Sequence, residues 1–168
     1  MRHFCPSCGQ DWHAGVTCTF CGVAWWVNPV PAVCGILAKD GSVLLIHRNS
    51  EPYKGSWDLP GGFIETGETP LEALGREFLE ETNLNIAHAE YLGSWPDVYM
   101  ETNTVEEPKH TLNMVFVLES EDGPQVPRGS TEGDIAWWPL SRLPSVAFPL
   151  STGAALSRFS ATTANGVT

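Results

Sequence analysis

A chain of 168 residues holds one domain with an apolar core and leaves room for a very small satellite module, which excludes two large domains. A hydrophobic fraction of 42% beside only 17% charged residues argues against disorder and against a coiled coil, and 9 basic against 20 acidic residues, a net charge of -11, disfavour an extended nucleic-acid partner. The same acidity suits a phosphorylated small molecule approached through divalent cations. With no apolar run of membrane-spanning length and no signal core in residues 1–8, a cytoplasmic protein without a membrane partner is expected.

Residues 1–27 are rich in Cys, Gly and aromatic side chains but lack periodicity, so this module needs an external staple. Cys5 and Cys8 form one C-x2-C pair and Cys18 and Cys21 another, each followed by glycine, a spacing that presents four thiolates tetrahedrally to Zn²⁺. Four protein ligands leave no open position for water, so the expected role is structural, with His3 and His13 as bystanders. Only Arg2 and Asp11 carry formal charge in the module, which therefore offers no basic patch to a phosphate backbone.

A main domain is expected over 28–160, with 161–168 as a flexible tail, and its first feature is a joint carrying Pro29 and Pro31. Strands are predicted at 32–38 and 42–48 around an Asp40-Gly41 hairpin turn. A surface loop carrying Pro52 and Gly55 follows, then a short strand at 57–59 stopped by Pro60, Gly61 and Gly62. Thr69 opens a helix as N-cap, with Pro70 at the first position and Glu72 completing a capping box. Leu71, Leu74 and Phe78 are expected to face the core, and the helix ends near Asn83, which accepts a left-handed backbone. Further strands are predicted at 86–95, 111–118 and 135–140, and helical turns at 141–143 and 152–159. Cys34 and His47 read as strand structure.

The helix carries Glu77, Glu80 and Glu81, three carboxylates expected on one side of it beside Arg76. Taken alone, such a cluster is most often a solvated face; crowded hard oxygen ligands also suit Mg²⁺ or Mn²⁺. Gly62, Glu68, Arg76, Glu77, Glu80 and Glu81 stand in the order G-x5-E-x7-R-E-U-x-E-E-x-G-U, with Phe78 and Leu84 at the bulky apolar places and Asn83 in place of the last glycine. This pattern, with Trp57, Leu59, Pro60, Gly61 and Gly67 ahead of it, closely resembles the Nudix box.

The resemblance implies an α/β/α sandwich around a mixed sheet and an enzyme that hydrolyses a nucleoside diphosphate derivative. It implies Mg²⁺ or Mn²⁺ on Glu77, Glu80, Glu81 and the Gly61 carbonyl, with Arg76 orienting the carboxylates. Glu77, Glu80 and the loop residue Glu132 are candidate general bases. The four-cysteine ribbon is similar to that of the NADH pyrophosphatase branch, although Ser94, Trp95, Pro96 and Met100 lack that branch's full signature and a protein without its larger N-terminal domain is expected. NADH, ADP-ribose and sugar nucleotides therefore all stand as substrates, with Trp95 and Tyr99 to stack on a base and Arg48, Lys54 or Lys109 to meet phosphate. A homodimer is compatible with the resemblance. The rival reading is a noncatalytic Nudix-like module whose ribbon recruits a protein or nucleic acid; the intact glutamate set favours the enzyme.

Overall fold

The computed structural model describes residues 3–12, 17–24, 26, 28–100, 108–121 and 134–164. Its first sheet is only a pair of two-residue strands, β1 (His3–Phe4) and β2 (Asp11–Trp12), too short to bury a core. The main sheet contains β3 (Val30–Lys39), β4 (Ser42–His47), β5 (Trp57–Asp58), β6 (Gly61–Phe63), β7 (Ile86–Tyr99), β8 (Lys109–Ser120) and β9 (Ile135–Pro139). Helix α1 (Pro70–Thr82) lies between β6 and β7 in sequence, and α2 (Ala154–Ala164) follows a π-helical turn at Pro149–Gly153.

β3 is buried on both faces from Ala32 to Leu37, which is why it reads as a nearly continuous apolar run. Val33 and Leu37 pack with Leu44, Phe116 and Leu118 beneath Ala73, Leu74 and Phe78 of α1. The alternate residues Cys34 and Ile36 join Val43, Leu45 and Val115 beneath Ala155, Leu156 and Phe159 of α2. One face of the sheet thus meets each helix, giving the expected α/β/α sandwich. β3 runs parallel to β8 from Val30 to Leu37, whereas its other edge is divided: Ala32–Cys34 pairs with β6 and only Ala38–Lys39 with β4. That division, a mixed sheet with β4 splaying from β3, opens the end of the sheet where the candidate site lies.

Local signals explain most boundaries. Asp40 and Gly41 adopt φ of 47° and 74°, the left-handed pair that a tight hairpin demands. At the start of α1, the Glu72 amide donates to Thr69 Oγ1 at 3.3 Å and the Thr69 amide donates to the Glu72 carboxylate at 2.8 Å. Asn83 closes the helix with φ 57°, its amide donating to the Leu79 carbonyl at 2.8 Å. No helix among the described residues is long and apolar enough to cross a membrane.

Four expectations need correction. Leu71 is 56% exposed, because side chains on a helix lean toward its N-terminus and a first-turn residue leans past the end of the packed face; Ala73 takes a core place instead. Gly61–Phe63 does not merely stop a strand but forms one against β3. β7 continues beyond Trp95 to Tyr99: it is the last strand on its side of the sheet, where Pro96 opposite Leu112 loses no obligatory donor. The final helix runs through Ala164 rather than fraying from 161, with Thr162 and Thr163 hydroxyls donating to the carbonyls of Arg158 and Phe159 one turn earlier.

The left-handed cap predicts that Asn83→Gly leaves the thermal midpoint unchanged or slightly higher, whereas Asn83→Val, which cannot adopt this backbone cheaply, costs about 1–2 kcal/mol in a denaturant titration.

Candidate functional site

The middle of α1 meets β6 through one guanidinium. Arg76 donates from Nε to Glu68 Oε1 at 2.7 Å and from Nη2 to Glu68 Oε2 at 2.9 Å, a bidentate fork, and Nη2 also reaches the Phe63 carbonyl at 3.2 Å. Its Nη1 donates to Glu77 Oε1 at 2.7 Å and lies 3.7 Å from Glu80 Oε2. The fork pulls the Glu68 carboxyl down to about 2, helped by the Glu65 amide, and raises Arg76 above its ordinary range through Glu68 and then Glu77.

Two glycines admit the helix glutamates to the sheet. A Cβ on Gly62 would collide with the Glu77 carboxyl group, and Gly61, at φ 150° against the Val33 backbone, donates its amide to Glu81 Oε2 at 2.8 Å. Glu81 is consequently buried and Glu77 largely so. Both line a cleft of about 400 Å³. Glu80 lies about 60° around the helix from Glu77 and about 100° from Glu81, has a side chain 62% exposed and does not line the cleft. The three glutamates therefore do not share one side: two face inward and one looks outward. Two carboxylates gathered beside the Gly61–Gly62 backbone form a hard-oxygen donor set of the kind that fits Mg²⁺ or Mn²⁺.

The opposite wall is aromatic and cationic. Arg48 donates from Nε to the Pro52 carbonyl at 2.8 Å, pairs with Asp58 at 3.4 Å and lies 5.2 Å over the Phe148 ring. Tyr99 stacks on Phe148 at 5.9 Å with 14° between the rings, and meets Phe63 edge-on at 5.4 Å. Phe148 holds φ 46°, a costly conformation for a bulky residue. Two buried carboxylates fix the segment behind it: Asp58 accepts from Thr152 Oγ1 at 2.7 Å, and Asp97 accepts from the Ser151 amide at 2.8 Å and hydroxyl at 2.9 Å. Burial pushes Asp58 up to about 6 although Thr152, Arg48 and the Leu59 amide all pull it down.

In the N-terminal module, the Sγ atoms of Cys5, Cys8, Cys18 and Cys21 all lie within 4.8 Å of one another, with Cys5–Cys21 at 3.7 Å and Cys8–Cys18 at 3.8 Å. Tetrahedral sulfurs about 2.3 Å from a central ion stand about 3.8 Å apart, so the separations fit zinc. Two matched turns create them: the Gly9 amide donates to the Cys5 carbonyl and the Gly22 amide to the Cys18 carbonyl, with φ of 71° and 74° at the glycines. The Cys21 and Phe20 amides bring Cys18 down to about 7. At Cys8 the Gln10 amide also pulls down, but desolvation and the three neighbouring thiols carry it to about 12. Four sulfurs this close share charge comfortably only around a cation.

Among the other expected site residues, Arg48 and Tyr99 line the cleft, whereas Trp95 packs against the α2-side core and does not. Lys54 and Lys109 are exposed and likewise outside the cleft lining. His47 lines the cleft but bonds the Gly55 carbonyl at 3.1 Å, and burial drives the Cys34 thiol above its ordinary range, which makes it inert. Glu132 and His13 lie outside the described residues, as does the side chain of His3. Phe148, Asp58, Asp97 and Asn113 were not anticipated. Asp58, in a strand otherwise read as apolar, was the one with a usable signal.

A family profile described as the NUDIX domain matches residues 28–157. The chain is 38% identical over 124 residues to the ADP-ribose pyrophosphatase of Methanocaldococcus jannaschii, covering 73% of this chain and 69% of that protein. It is 28% identical over 159 residues to the NAD-capped RNA hydrolase NudC of Chromobacterium violaceum, covering 94% of this chain but only 50% of that one. A crystal structure of a NUDIX hydrolase from Nitrosomonas europaea superposes with a TM-score of 0.64 at 24% identity, covering 99% of this chain and 94% of the other, a likeness of fold.

Because the folded-state value of Glu68 is depressed to about 2, its contribution to stability is complete above the unfolded value near 4.5 and disappears as pH falls toward 2. Denaturant titrations at pH 6 and pH 3 should show a smaller acid-induced loss in Glu68→Gln than in the unaltered chain; an equal loss would place the acid sensitivity elsewhere.

Proposed function

The chain belongs to the NUDIX domain family and is a Nudix hydrolase, and from that premise we propose that it cleaves the diphosphate linkage of a nucleoside diphosphate derivative, ADP-ribose or a dinucleotide such as NADH, with Mg²⁺ or Mn²⁺. The observation that carries this reading is the placement of Glu77 and Glu81 beside Gly61 and Gly62 in the same cleft as Arg48, Tyr99 and Phe148. Glu77 and Glu81, with the Gly61 carbonyl, would hold the cations, and Glu80 would join from the cleft's outer edge. Bound there, divalent ions would neutralise diphosphate oxygens and acidify a water molecule.

The chain's own groups divide the remaining work. Arg76 holds and aims the Glu77 carboxylate by a 2.7 Å bond, which occupies one of its oxygens and suits it to holding a cation more than to taking a proton. Removal of the water proton then falls to Glu80 or Glu132. Arg48, already oriented by Asp58 and the Pro52 carbonyl, is placed to meet a phosphate, and Tyr99 with Phe148 offers faces on which a base can stack. The M. jannaschii relative's name supports ADP-ribose, while the C. violaceum relative's name, an NAD-capped RNA hydrolase, and the resemblance of the four-cysteine ribbon to that of the NADH pyrophosphatase branch support a dinucleotide. We also assign the four-cysteine cluster to structural zinc, whose binding would supply folding free energy that β1 and β2 cannot.

Incubation with ADP-ribose, NADH, NAD, dinucleoside polyphosphates, nucleoside triphosphates and sugar nucleotides should give mononucleotide release only with Mg²⁺ or Mn²⁺. Glu81→Gln should lower turnover by about two to three orders of magnitude. Failure on every substrate would favour the noncatalytic binding module instead. Glu132→Gln with unchanged turnover at saturating Mg²⁺ would remove that residue as base and leave Glu80. Metal analysis should find about one zinc ion per chain, lost in Cys18→Ser.

A further inference from the structure

The floor of the cleft carries a polar group to which neither the cations nor the diphosphate lays claim. Asn113 on β8 donates from Nδ2 to Thr111 Oγ1 at 3.0 Å and to the Trp95 carbonyl at 3.4 Å. A carbonyl only accepts, so this contact fixes which end of the amide is which. Among the described residues Oδ1 accepts no hydrogen bond, and Asn113 lines the cleft.

The strand register says what surrounds that oxygen. Phe63 on β6, Ala32 on β3 and Asn113 on β8 are direct partners across three adjacent strands, so their side chains share one face of the sheet. Adjacent strands are about 4.8 Å apart, which puts Phe63 and Asn113 about 10 Å from each other across a floor made by the small side chain of Ala32. Tyr99 leans against Phe63, and Phe148 stacks on Tyr99. A flat ring has an apolar floor there, aromatic walls on one side and the Asn113 acceptor, beside the Thr111 hydroxyl, on the other.

We infer that Asn113 is a specificity-determining residue whose Oδ1 accepts a hydrogen bond from an exocyclic amino group of the substrate's base, selecting adenine over its 6-oxo counterpart. An oxo group at that place would set two acceptors against each other, a mismatch with a larger penalty than a missing contact. The inference rests on the hydrolase reading above and adds to it the identity of the base.

Steady-state hydrolysis of ADP-ribose and of its hypoxanthine analogue IDP-ribose, which differ only at this edge of the ring, tests it without any substitution. The unaltered chain should favour ADP-ribose by about tenfold or more in kcat/KM, mainly through KM. Asn113→Leu should shrink the ratio to about threefold or less, with Asn113→Ala as a second variant should leucine perturb the fold. Equal kcat/KM on the two substrates, or a ratio that survives both substitutions, would overturn the role of Asn113 and leave the hydrolase reading standing. Hydrolysis of neither would overturn both.

Discussion

Arg76 ties three pieces of chain together with one planar cation. Its fork grips Glu68 in the loop before α1, another nitrogen holds Glu77 on the helix itself, and a third contact reaches the Phe63 carbonyl on β6. An exposed ion pair contributes little, but a bidentate pair with further bonds from the same group fixes geometry as well as charge. This arrangement offsets part of the repulsion in bringing Glu77 and Glu81 to one cleft in a protein that already carries a charge of -11. Gly62 leaves space where a Cβ would strike Glu77, and the Gly61 amide receives Glu81. The helix end, the glycines and the guanidinium act as one unit.

The rest of the cleft follows from how β3 shares its edges. By pairing with β6 near one end and β4 near the other, it lets the strands diverge, so carboxylates on one side face Arg48, Tyr99 and Phe148 on the other. The left-handed backbone of Phe148 costs about 1–2 kcal/mol. It is held because the Ser151 and Thr152 amides donate to its carbonyl while Asp97 and Asp58 clasp the next turn. Two buried carboxylates and a strained phenylalanine are expensive structural choices. They build the wall that a nucleotide's base would rest against.

The sequence made the local features legible and left the long-range ones hidden. Thr69, Pro70, Glu72 and Asn83 announced α1 because caps are short-range hydrogen bonds, and the C-x2-C spacing announced the sulfur cluster for the same reason. The inward turn of Glu81 and the outward turn of Glu80 depended on where the sheet lies relative to the helix, which three glutamates within one turn and a half do not reveal. Trp95 looked like a stacking residue and is core packing; Phe148, between an alanine and a proline, carried no signal at all. Asp97 pairs with Ser151 across more than fifty positions, and Asn113 owes its meaning to a register with Ala32 and Phe63 that involves three strands.

Titration with Mn²⁺, followed by the paramagnetic signal of the free ion, puts the role of that guanidinium to the most direct trial. Compared with the unaltered chain, Arg76→Lys keeps the positive charge but cannot fork to Glu68 and reach Glu77 together, so manganese affinity should fall by about tenfold while circular dichroism still reports a folded sheet. Undiminished affinity in that variant would mean that the carboxylates find their places without Arg76.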